Sequence, residues 1–134
     1  MKPPERFPPD DPREWLNRAR SNLALATTRS PAVYLEDLCF ELQQAAEKAI
    51  KAVMLSRGIE PPHIHDIASL LSTLEDASER IPTGVRRGAR LTAYAVEARY
   101  PALKQPVTER DYGDAVEIAE AIVSWAEKSL QALP

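Results

Sequence analysis

The chain holds one cysteine, two histidines and four glycines among its 134 residues, and each scarcity narrows what it can be. A lone Cys39 excludes an intramolecular disulfide and cannot by itself build a zinc site. It lies between Leu38 and Phe40 in a helical pattern, which reads as a buried and inert thiol. There is no Gly-rich phosphate loop and no helical pair of histidines, so no metal and no other cofactor is expected. No apolar run approaches the ~20 residues of a membrane span. The opening MKPPERFPPDDP lacks the apolar stretch of a signal peptide, so a cytoplasmic protein without a membrane partner is expected. Positive charge is not in excess either. Seventeen basic against twenty acidic residues give a net charge of −3, which argues against a bulk electrostatic nucleic-acid binder. A local basic pocket is still allowed. Finally, no window shows the alternation of a half-buried strand.

What is present is helical periodicity, over a length that fits one domain. Residues 1–11 hold four prolines and few apolar groups, and are expected to be a flexible arm. A helical domain is expected over 12–132. Its first helix should open at Asp11-Pro12, an acidic cap followed by proline in the first turn, and stop at Ser30-Pro31. The second should span about Val33 to Arg57, capped by Gly58. Ile67, Leu70, Leu71, Leu74 and Ala77 mark a third, with Asp66 as its cap. A fourth is expected from about Val85 to Ala98, ended by Pro101. Thr108 and Asp111 resemble a capping box opening the last helix. The fold class is all-α, an up-and-down bundle of about five helices. Ile118 and Trp125 lie off the main stripe of the last helix, so a second buried face, supplied by a dimer mate or partner, is expected there.

The densest chemistry lies between Cys39 and Asp66. Opposite its apolar stripe the second helix shows Gln43, Gln44, Glu47, Lys48 and Lys51, with Glu47 and Lys51 at ion-pair spacing. From the pattern alone this reads as a solvated face. The loop that follows carries both histidines, His63 and His65, behind Pro61-Pro62. Arg86, Arg87, Arg90 and Arg99 form the densest basic cluster. Helical spacing would put Arg86 and Arg90 on one face, fit for phosphate or for neighbouring acids.

The stretch CFELQQAAEKAIKAVMLSRGIEPPHIHDIASLL resembles the HEPN domains of prokaryotes. In that family a Gln-Gln-Ala-x-Glu-Lys helix leads into a loop with glycine and proline that ends in His-Asp. Trp15, Leu16 and Ala19 match the family's opening, and Tyr94 with Ala98-Arg99-Tyr100-Pro101 resembles the end of its fourth helix. Thr108, Ala115, Ala119 and Glu120 match its last helix. The resemblance runs from about residue 12 to 132. It implies a HEPN-like bundle of the nucleotidyltransferase substrate-binding-subunit type, often a homodimer, commonly encoded beside a minimal nucleotidyltransferase. Many such pairs act as toxin and antitoxin, and some members are proposed to bind nucleotides.

Toxic members of the family are metal-free RNases that use an arginine and a histidine near the end of a late helix. Histidine suits proton transfer near neutrality, and arginine stabilises charge on the phosphorane. Here Arg99 stands at the apparent position, yet no histidine follows it. Arg57 and His63, separated by five residues, match by count the four to six residues between the family's pair but lie in the loop between the second and third helices. His65 and Asp66 read first as structural. The catalytic candidates are therefore His63, His65, Arg57 and Arg99. The ligand-binding candidates are Gln44, Lys48, Lys51, Arg86, Arg90, Arg99 and Tyr100. In some toxin pairs the partner enzyme adds nucleotides to a tyrosine near the catalytic pair, a role that would fall on Tyr100. Two functions stay open. One is a homodimeric binding module that partners a minimal nucleotidyltransferase and takes nucleotide or RNA. The other is a metal-independent RNase toxin with a rearranged Arg/His site.

Overall fold

The computed structural model describes residues 2–96 and 105–131, and every regular element among them is helical. Helix α1 (Pro12–Ala26) opens as its sequence requires. The Asp11 carboxylate accepts the Arg13 N–H at 2.9 Å, and Pro12 sits where a missing N–H costs nothing. Helix α2 (Leu35–Ser56) is the core of the bundle, with every residue from Ala49 to Met54 buried. A helix buried on all sides must be surrounded by other elements. Ala45, Ala46, Ala49 and Ala52, each fully buried, keep it slim enough for that. It ends in a Schellman motif. Gly58 adopts a φ of 73°, and the Ile59 N–H reaches the Met54 carbonyl at 2.9 Å.

Residues 57–66 do not turn tightly. Arg57 pairs with Glu79 beyond the third helix, whereas His65 reaches back to Glu47. From Glu47 to Arg57 the helix rises about 15 Å, a distance that the extended, proline-stiffened loop covers in reverse. Helix α3 (Ile67–Asp76) therefore advances in the same general sense as α2. Strict alternation holds for α1, α2, the 83–96 segment and the last helix, with α3 as the exception. Asp66 occupies the cap position of α3 but makes no capping bond to the backbone. Its Oδ2 instead accepts the Ser69 hydroxyl at 2.6 Å, and the free Ile67 N–H goes to Thr92 Oγ1 at 3.1 Å.

The fourth helix is not continuous. It consists of α4 (Thr83–Arg86), a 3₁₀ stretch (Arg87–Leu91) and α5 (Ala93–Val96). The reason lies at Gly88. A Cβ built there would stand 2.6 Å from Ile122 Cδ1 and 3.3 Å from Ile67 Cγ2. The backbone is pressed against two neighbours, and a side chain there would force the tip of Ile122 to move. The expected end of this helix, Ala98-Arg99-Tyr100-Pro101, lies outside the described residues.

Helix α6 (Glu109–Gln131) opens with a reciprocal capping box. Asp111 N–H reaches Thr108 Oγ1, and Thr108 N–H reaches Asp111 Oδ2, both at 3.0 Å. Its second apolar face is covered from within the chain. Ile118 is only 2% exposed and lies beside Tyr94 and Leu91 of the broken segment. Trp125 is half-buried against the core. Ile118 thus needs no second subunit to cover it. At the other terminus the proline-rich arm is tied along α1. Trp15 Nε1–H donates to the Pro9 carbonyl at 2.7 Å, and Asn17 Nδ2 donates to that of Glu5 at 2.8 Å.

Candidate functional site

The polar stripe of α2 is interior, not a solvated face. Gln43 is fully buried, Glu47 is 4% exposed and Lys51 is 5% exposed. A buried carboxylate is tolerated only when its oxygens are satisfied and its charge is balanced. Both conditions are met at Glu47. Oε1 accepts Gln43 Nε2–H at 2.9 Å and faces His65 Nδ1 at 2.8 Å, while Oε2 accepts Lys51 Nζ at 3.0 Å. Burial pushes the Glu47 carboxyl up, but the bonds from Gln43, His65 and Lys51 outweigh it and hold the group below its ordinary value. Glu47 is thus an anion at neutral pH and can only accept, so His65 must donate through Nδ1–H. That leaves Nε2 as the acceptor nitrogen of the neutral ring, on a side chain 66% exposed.

Gln44 and Lys48 extend the network toward α1. Gln44 Nε2 donates to Gln43 Oε1 at 2.7 Å, and Lys48 Nζ donates to Asn22 Oδ1 at 2.8 Å. Burial lowers the Lys48 ammonium, with Glu41 opposing that shift and Arg18 adding to it. Asn22 in turn donates to Glu41 at 3.3 Å, so three residues bridge α1 and α2.

The remaining candidates are dispersed. Arg57 is engaged with Glu79 and with the Ser56 hydroxyl, not with His63. His63 is exposed and makes no polar contact among the described residues. Arg86 pairs with Glu75 of α3. Arg90 faces a different element, α6, where it lines a cavity of about 110 Å³ with Tyr94, Asp111 and Asp114. The two arginines do not share a face, because the 3₁₀ stretch changes the helical phase between them. Arg99 and Tyr100 lie outside the described residues. Cys39 is buried, and burial pushes its thiol up to about 12, so it is no nucleophile. No cluster of three metal-ligating side chains occurs among the described residues. No helix there is long and apolar enough to cross a membrane. The reading of single residues missed Glu14, Arg18 and Asn22. The i, i+4 spacing of Glu14 and Arg18 was the available signal.

A helical bundle whose central helix carries a Gln-Gln-x-x-Glu-Lys stripe with its Gln43 and Glu47 buried, latched by a histidine from the following loop, defines a narrow class of protein. The chain belongs to the HEPN family: the family model "HEPN domain" matches residues 12–129. Two solved structures agree. TT1696 from Thermus thermophilus is 31% identical, with a TM-score of 0.77, over 89% of this chain and 98% of that one. ST0689, an archaeal HEPN homologue, is 27% identical with a TM-score of 0.72, over 90% and 98% of the two chains. No curated protein matches the chain.

Proposed function

We propose that this HEPN-domain protein is a homodimeric binding module that partners a minimal nucleotidyltransferase and takes nucleotide or RNA, within a toxin–antitoxin pair. The observation that carries the binding reading over catalysis is the pairing of the charged groups around the histidine loop. Arg57 is held by Glu79 and Arg86 by Glu75, while Lys51 and His65 converge on Glu47. Metal-free cleavage of RNA needs a free cation beside a base, and here the cations beside the histidine loop are already neutralised. The partnership itself rests on family membership, in which such modules accompany nucleotidyltransferases. The test is co-expression with a minimal nucleotidyltransferase encoded beside the gene. Co-elution of the two, with the chain dimeric by light scattering, is the expected result. A monomer that ignores the enzyme overturns it.

One observation favours the second reading, a metal-independent RNase with a rearranged site. Glu47 orients His65 as a carboxylate orients a catalytic base, with Nε2 toward solvent. Incubating the purified chain with RNA in EDTA separates the two. Intact RNA supports the binding module, and cleavage abolished by His65→Ala replaces it with the RNase.

A further inference from the structure

Between the N-terminal arm and α1 lies a cavity of about 330 Å³ lined by Phe7, Pro9, Glu14, Trp15, Arg18 and Lys48. That is the size class of a small-molecule site. The family match begins at residue 12, so the Phe7 and Pro9 wall lies outside the matched residues. Both aromatic walls are anchored. The Trp15 indole N–H is bonded to the Pro9 carbonyl at 2.7 Å. The Phe7 N–H is bonded to Glu14 Oε1 at 3.0 Å, and the Arg13 guanidinium lies 4.0 Å from the Phe7 ring centre.

The charge inside is also arranged. Glu14 is 5% exposed and both its oxygens are occupied, Oε1 by Phe7 N–H and Oε2 by Arg18 Nε at 2.8 Å, with Arg6 at 3.6 Å. Its charge is therefore balanced locally. Arg18 spends only Nε on it, which leaves its terminal nitrogens without a partner among the described residues. Lys48 uses one N–H on Asn22 and retains donors of its own. Two cations thus meet beside two anchored aromatic rings, and Arg18 adds to the cost of charging Lys48. An anionic group would relieve that repulsion, and a flat ring would fit the walls.

We propose that this cavity binds a small planar aromatic ring carrying an anionic group, with the ring against Trp15 and Phe7 and the anion on Arg18 and Lys48. The site goes beyond the partnership proposed above and does not depend on it. Nucleoside monophosphates and aromatic carboxylates share this chemistry.

The test uses the full chain carrying Trp125→Phe, which leaves Trp15 as the one indole of the two in the sequence. Its fluorescence is titrated with adenosine monophosphate, benzoate, phenyl phosphate, unmodified adenosine and inorganic phosphate. Saturable quenching by the aromatic anions is expected, at least about tenfold tighter than by adenosine or phosphate alone. Arg18→Ala and Phe7→Ala each weaken it by about tenfold or more, while Arg80→Ala leaves it unchanged. A preference for adenosine monophosphate over benzoate and phenyl phosphate identifies a nucleotide site, and the reverse an aromatic-acid site. No saturable quenching by any aromatic anion up to ~10 mM overturns the proposal. So does undiminished binding in Arg18→Ala and Phe7→Ala chains that melt like the parent, or phosphate alone binding as tightly as the aromatic anions.

Discussion

Helix α2 and the segment 83–96 were each expected to form a single helix, yet one is unbroken over 22 residues and the other is divided into three short pieces. What differs is how each meets its neighbours. Alanines let α2 be packed from all sides while its backbone ladder stays intact, and its buried polar groups neutralise one another around Glu47. In 83–96 the contact is made by the backbone at Gly88, against Ile122 and Ile67, and the helix gives way there. The same hydrophobic drive, answered by side chains in one case and by main chain in the other, yields different local structure.

The sharpest way to break this comparison is Glu47→Ala. It leaves Lys51 buried and unpaired, and should cost about 3–5 kcal/mol in urea-induced unfolding. Pairing Glu47→Leu with Lys51→Met should cost far less than Glu47→Ala, because no charge is then stranded. A loss below about 1 kcal/mol for Glu47→Ala would mean that the stripe contributes little.

The pH dependence of the same group follows from its direction of shift. The folded carboxyl titrates below its ordinary 4.5, so its contribution is complete above that pH and is lost as the pH falls toward the folded value. Glu47→Gln should therefore flatten the acid side of the stability profile below pH 4.5, as read by denaturant midpoints.

Gly88→Ala tests the other region. Alanine favours helix by about 1 kcal/mol, but the clash with Ile122 opposes it with about 1–3 kcal/mol. Net destabilisation of about 1 kcal/mol is expected in thermal melts. Ile122→Val, which removes the clashing Cδ1, should recover part of it in the double variant. The smallest effect belongs to Arg86→Ala. Its pairing with Glu75 is at the surface, with the arginine side chain 51% exposed, and should contribute no more than about 1 kcal/mol. Set beside Lys51, it measures how much burial alone changes an ion pair.

Much of the fold was legible because its signals are local. Asp11-Pro12 and Thr108 with Asp111 start helices in the sequence and in the structure, since caps are made by residues adjacent to the groups they satisfy. The candidate site was less legible. Glu47 and Lys51 have the same spacing whether they face water or the interior, and what decides is His65, 18 residues further on. Asp66 was recognisable as a cap position, but its carboxylate accepts the Ser69 hydroxyl and no first-turn backbone N–H. Arg86 and Arg90 share a face only if the helix between them is regular, and Gly88 removes that condition.

The sequence by itself determined that the chain is all-helical, where its long helices begin, and that it is a HEPN-domain protein, because caps, periodicity and motif wording are properties of neighbouring residues. Tertiary structure alone decided that the polar stripe of α2 is interior, that the proline loop runs back to latch it, and that the fourth helix breaks. Those outcomes depend on which distant side chain or backbone occupies the space opposite, and no local pattern encodes that.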